Sequence, residues 1–115
     1  MVECIFCKIA EGEMEKEIIY ENDNFMSFAD INPLVQGHSI VVSKKHFANM
    51  LSLPSSLGSE LMDCVKRTTL KLMEENKAEG FNIHGNNMKV ADQLVEHFHI
   101  HILPRKKGDG FKPCA

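Results

Sequence analysis

Apolar positions change their period along the chain, and each change marks an element. Ile5, Phe6 and Ile9 have helical spacing within residues 4–10, which predicts a short helical turn stopped near Gly12. Residues 18–21 and 25–28 are apolar runs on either side of Asn22-Asp23-Asn24, a polar turn cluster, and together predict a β-hairpin. Residues 30–37 form a loop, because Pro33 disfavours helix at Asn32 and Gly37 permits unusual dihedrals. The β-branched stretch 38–43 predicts the next strand. Pro54 or Ser55 opens one long helix that runs to about Asn76, with Gly80 just beyond. Along it Leu57, Leu61, Cys64, Val65, Thr68 and Leu72 recur at three- and four-residue steps, so one face is apolar. Residues 81–84 predict a fourth strand, 85–92 a polar loop, and 95–103 the fifth and clearest strand. The order β-β-β-α-β-β lacks the regular strand–helix alternation of a parallel sheet. It implies an α+β domain, an antiparallel sheet with the helices on one side and an edge that a second copy can cover.

Composition narrows the classes. The chain has 115 residues, 43% hydrophobic and 25% charged, which fits one domain over residues 1–115 with a core that needs no staples. The formal net charge of −3 and the lack of a basic patch argue against grip on nucleic acid through its phosphates. No apolar run approaches the ~20 residues of a membrane-spanning helix. The first residues carry no charged segment followed by an apolar one, so a cytoplasmic address is expected. In a reducing compartment the four cysteines are not a disulfide framework. Cys4 and Cys7 form a Cys-x-x-Cys pair, which reads as half a metal site, a redox pair or incidental thiols. Cys64, on the apolar helix face, reads as core, and Cys114 as a tail residue.

Three of six histidines stand in His97-Phe98-His99-Ile100-His101. Side chains alternate along a strand, so these imidazoles line one face about 7 Å apart while Phe98, Ile100 and Ile102 pack beneath the long helix. Three polar rings side by side gain nothing in packing. They read as satisfied structural histidines, as the start of a hydrolytic metal site or as a row built for catalysis. A neutral imidazole nitrogen attacks phosphorus well and divides one displacement into two. The loop leading into the strand offers Asn86, Asn87 and Gln93 as donors for phosphate oxygens.

The segment His97-Phe98-His99-Ile100-His101-Ile102-Leu103 resembles the signature of the histidine-triad (HIT) nucleotide hydrolases and transferases. Other segments resemble the same family in order: Cys4-Ile5-Phe6-Cys7-Lys8-Ile9 at the start, Phe28-Ala29-Asp30-Ile31-Asn32-Pro33, Gly37-His38 through Lys44-Lys45-His46, and Pro104-Arg105 with Gly108-Asp109-Gly110-Phe111 near the end. The resemblance implies a five-stranded antiparallel sheet with one long and one short helix, paired into a homodimer whose sheets join. It implies attack on the α-phosphorus of a purine nucleotide by His99, with His101 at the phosphate and leaving group and His38 orienting the row. Asp30 takes the ribose hydroxyls, Ile5, Phe6, Ile9, Phe28 and Ile31 form the purine pocket, and Asn86 and Gln93 face the phosphate. The bland reading of those apolar residues is ordinary core. The resemblance further implies a structural zinc on Cys4, Cys7, His46 and His97.

Two residues depart from the family pattern: Asp92 stands at a usual glycine and Leu94 at a frequent serine, which bears on the leaving group. Ser43 replaces a proline with little consequence. The leading expectation is a purine nucleoside phosphoramidase or nucleotidyl hydrolase. Its rivals are a dinucleoside polyphosphate (Ap3A or Ap4A) hydrolase, a non-catalytic nucleotide-binding adaptor stabilised by zinc, and a hydrolase in which the triad holds a catalytic zinc.

Overall fold

The computed structural model describes residues 4–112; the expectation for Cys114 lies outside them. Helix α1 covers Ile5–Ala10, strand β1 Tyr20–Glu21, β2 Phe25–Ala29 and β3 Ser39–Ser43. Helix α2 covers Gly58–Asn76, β4 Gly80–His84 and β5 His99–Arg105. The five strands form one antiparallel sheet in the order β1-β2-β3-β5-β4. This is the expected α+β architecture, five antiparallel strands with one long and one short helix.

The helices do not share a side. Phe25 of β2, Val41 of β3, Phe98 just before β5 and Ile102 of β5 pack with Cys64 and Leu72 of α2. Met26, Phe28, Ile40 and Val42 point the other way and pack with Phe6 and Ile9 of α1. Alternation along a strand makes these opposite faces. The expectation of helices on one side is therefore corrected. A six-residue helix still has an apolar pair to bury, and β2 and β3 present apolar residues on both faces to receive helices from either side. Between α2 and β2 the buried hydroxyls of Ser27 and Thr68 satisfy each other at 2.7 Å.

The histidine strand also starts later than expected, at His99 instead of Val95, and ends at Arg105. Pairing with β3 begins at Val42↔His99, because β3 itself stops at Ser43. Upstream, His97 N–H bonds to Val95 O, and Phe98 N–H to Phe47 O outside the ladder. His97 thus stands just off the strand, and only His99 and His101 lie on it.

Candidate active site and metal centre

His99 pairs with Val42 and His101 with Ile40, so both imidazoles lie on the α1 face of the sheet. Both rings are partly buried. Phe6 borders the row, its ring 5.6 Å from His97 and 5.1 Å from His99, both edge-on. His99 Nδ1 lies 2.8 Å from the His97 carbonyl. A carbonyl only accepts, so Nδ1 carries the proton and Nε2 keeps its lone pair. Main chain alone sets this tautomer.

His101 is governed by a side chain. The turn before β3 brings in His38, whose Nδ1 accepts the Leu34 N–H at 3.0 Å. The proton of neutral His38 is then on Nε2, 2.9 Å from His101 Nδ1, which accepts it. That leaves the His101 proton on Nε2. Gly37 makes the turn possible: its φ is +88°, and a Cβ there would come within 2.5 Å of the Asn76 amide. Asp30 Oδ2 sits 3.5 Å from both His38 Nε2 and His101 Nδ1, while Oδ1 accepts the Asn32 N–H. Burial pushes His101 down to about 4, helped by the charges of His99, His38 and His84 and opposed by Asp30. Burial lowers His38 as well. Both rings are neutral at pH 7.

The residues assigned by resemblance to a purine pocket divide. Phe6, Ile9 and Phe28 are buried in the core under α1, whereas Ile5 and Ile31 are exposed, Ile31 at 80%. Of these five residues Ile9 borders a cavity of about 660 Å³, lined also by Ala10, Met14, Lys16, Ile18 and Met26. In the loop before β5 the Gln93 amide nitrogen donates to Ala48 O and Val95 O, and its oxygen accepts the Met88 N–H. Gln93 thus ties the loop to the segment after β3. Asn86 donates to Asp92 O at 3.4 Å. Asp92 has φ +66° and ψ +32°, a left-handed conformation that explains a glycine there and that aspartate tolerates. Met88, at φ +74° and ψ +158°, is more strained. Leu94 points to solvent, 93% exposed.

At the other end of the row, one ligand atom each from Cys4, Cys7, His46 and His97 falls within 4.8 Å of all the others. Cys4 caps α1 and Cys7 lies one turn on, which places both thiols on one side. His97 Nδ1 is 3.1 Å from Cys4 Sγ and 3.5 Å from Cys7 Sγ, and His46 Nδ1 is 3.4 Å from Cys7 Sγ. A tetrahedral ion with ordinary S and N bonds separates such donors by ~3.6 Å. His97 Nε2 donates to the Ser43 carbonyl at 2.7 Å, which turns the Nδ1 lone pair toward the thiols. Without a cation, burial and the neighbouring Cys4 push the Cys7 thiol up to about 11. The donor set fits a metal ion, and the cluster can hold one.

One site residue escaped sequence reasoning. His84, at the end of β4, is the direct cross-strand partner of His101, with ring centroids 4.9 Å apart. The signal was its place at the end of a predicted strand, yet strand order is needed to set it beside the triad.

A family model described as the HIT domain matches residues 11–108. The chain belongs to the HIT family. Among HIT relatives, it is 41% identical over 109 residues to an uncharacterized HIT-like protein of Methanocaldococcus jannaschii, covering 93% of this chain and 82% of that one. It is 38% identical over 107 residues to an adenosine 5'-monophosphoramidase of Candida albicans, covering 90% and 70%. A solved structure from Streptococcus mutans superposes with a TM-score of 0.92 at 33% identity, covering all of this chain and 73% of that one. None of the described helices of this HIT protein is long and apolar enough to cross a membrane.

Proposed function

We propose that this HIT protein is a nucleotidyl hydrolase that acts on purine nucleoside phosphoramidates through a covalent nucleotidyl-His99 intermediate. The observation that carries the reading is the pair of opposite tautomers, a lone pair on His99 Nε2 beside an N–H on His101 Nε2. The likeness to a monophosphoramidase supports it.

His99 Nε2 attacks the α-phosphorus, forming an N–P bond as the phosphorus–amine bond breaks. The His97 carbonyl steadies the positive charge that His99 then carries. The departing amine needs a proton. The His38–His101 pair is neutral when free, and an anionic phosphate beside it raises its proton affinity, so the complex carries one extra proton on the pair. His101 delivers it to the amine. The pair, neutral again, takes a proton from the water that attacks phosphorus and releases the nucleoside monophosphate, which restores His99. Asn86 and Gln93 border the phosphate, Gln93 by holding the loop. Asp30 meets the ribose, and the exposed Ile5 and Ile31 meet the base, backed by the buried Phe6, Ile9 and Phe28.

Zinc is the metal proposed for Cys4, Cys7, His46 and His97, where it would fasten α1 to the start of the histidine row without meeting substrate. The open edge of β4, with Phe81 and Ile83 about half exposed, supports a homodimer built by sheet extension, checked by light scattering on the eluting protein.

The test is His99→Gly with adenosine 5'-phosphoramidate. Turnover is expected to fall at least ~10³-fold with the fold intact, and acid-quenched wild type to show an adenylylated protein by intact mass. Undiminished turnover would falsify the nucleophile assignment.

A further inference from the structure

His101 stands at the corner of two rows of imidazoles. One runs along β5 through His99; the other crosses the sheet from His38 through His101 to His84. On the His38 side, the ring is hydrogen bonded and has a carboxylate near it. On the His84 side, it meets a near-parallel ring, tilted 30° at 4.9 Å. His84 is half-buried, and among the described residues its two nitrogens make no hydrogen bond or ion pair. Cross-strand pairing with His101 places it on the same face of the sheet as the reacting groups. A ring that only packed against His101 would do as well without nitrogens.

Resting on the reading above, we propose that His84 is a specificity-determining residue: its ring N–H donates to the leaving group, favouring leaving groups that depart as oxyanions. The leaving atom must lie by His101, and His84 is the next donor beyond that ring. The two leaving-group classes differ in what they need. When a phosphorus–oxygen bond to sulfate or phosphate breaks, the electron pair stays on the leaving oxygen and no proton is required. A donor beside that oxygen stabilises the charge as it develops. When a phosphorus–nitrogen bond breaks, the nitrogen takes its proton from the His38–His101 pair, and a second donor adds nothing. Leu94, exposed where family members often carry serine, supplies no hydroxyl for that role.

The experiment compares kcat/KM for adenosine 5'-phosphosulfate and adenosine 5'-phosphoramidate in wild type, His84→Phe, His84→Leu and His84→Gln. Phe keeps the stacked ring without a donor, Leu removes both, and Gln retains a donor of similar reach. The sulfate-to-amide ratio is expected to fall about tenfold in Phe and Leu, the effect of one hydrogen bond to a charged group, and to stay within about threefold in Gln. Both substrates are assayed on one preparation, so any unfolded fraction cancels. A ratio unmoved in Phe and Leu, or lost equally in Gln, overturns the role of His84 alone. Wild type that turns over neither substrate and forms no adduct overturns the nucleotidyl-histidine reading beneath it.

Discussion

The two ends of the histidine row carry the same side chain and do opposite things with it. At His97 both ring nitrogens are committed: Nε2 gives its proton to the Ser43 carbonyl, and Nδ1 faces two thiols. At His101, two residues beyond the middle of the row, Nδ1 is occupied by His38, and among the described residues Nε2 makes no hydrogen bond. His97 is wholly buried and His101 is not. An imidazole's role is thus decided by which nitrogen its neighbours consume. In the proposed mechanism one end of the row is a fastening and the other a reagent. Metal removal should separate them most sharply. Chelation, or Cys4→Ala, is expected to cost about 4 kcal/mol of stability when the metal stands ~1,000-fold above its dissociation constant, read by denaturant melts with and without zinc. Turnover per folded molecule should be unchanged. Loss of turnover by a chelated protein that is still folded would place the metal in the chemistry and erase the contrast.

Protons test the reagent end. Burial brings His101 from its ordinary value near 6.5 down to about 4. Below pH 6.5 the unfolded chain protonates this residue while the folded one does not, so the native state loses stability as pH falls from about 6.5 to about 4. Below that both states are protonated and the loss stops. The shift corresponds to roughly 3 kcal/mol over that window. His101→Asn should therefore flatten the fall of unfolding free energy between pH 7 and pH 4 relative to wild type. The Cys4, Cys7, His46 and His97 cluster is common to both proteins, so its own proton sensitivity cancels in the difference. Parallel slopes would show that His101 is not held neutral.

Much of this contrast was legible in the chain. The period-two histidines, the Cys-x-x-Cys pair and the apolar face of α2 are local patterns, and local patterns survive into structure. What could not be read depends on partners distant in sequence. The start of β5 is set by where β3 stops, since residues 95–98 have no strand to pair with. The second face of the sheet was missed because alternation in β2 is masked when both faces are buried, as Phe25, Met26, Ser27 and Phe28 all are. His84 becomes a neighbour of the triad only through the antiparallel pairing of β4 with β5. Gln93, one of the residues nominated for phosphate, turns out to spend its amide on Ala48, Val95 and Met88, partners no spacing rule could supply.

His38 sharpens the comparison at smaller scale. Its substitution by Gln removes the imidazole that sets the His101 tautomer and, in the proposed mechanism, shares the extra proton. Turnover of adenosine 5'-phosphoramidate is expected to fall about 10- to 100-fold, mainly in kcat. The thermal midpoint should move little, since Gln can accept the Leu34 N–H in its place. A change confined to KM would make His38 a binding residue instead.

Ser43 is its counterpart at the fastening end, and the effect there should be the smallest. Its hydroxyl lies 3.2 Å from His97 Nε2 and 2.8 Å from the Lys45 carbonyl, while its own carbonyl holds the His97 proton at 2.7 Å. Ser43→Ala deletes the hydroxyl and leaves the carbonyl, so the tautomer of His97 survives. The expected cost is about 1 kcal/mol, that of one buried hydrogen bond, with zinc content and kcat unchanged. Main chain fixes the tautomers of His97 and His99, and no side-chain substitution removes a carbonyl. His101 alone depends on another side chain for its tautomer. A Ser43→Ala protein that lost its zinc or its turnover would show that the hydroxyl, not the backbone, orients His97, and the row's two ends would then be held by the same kind of partner.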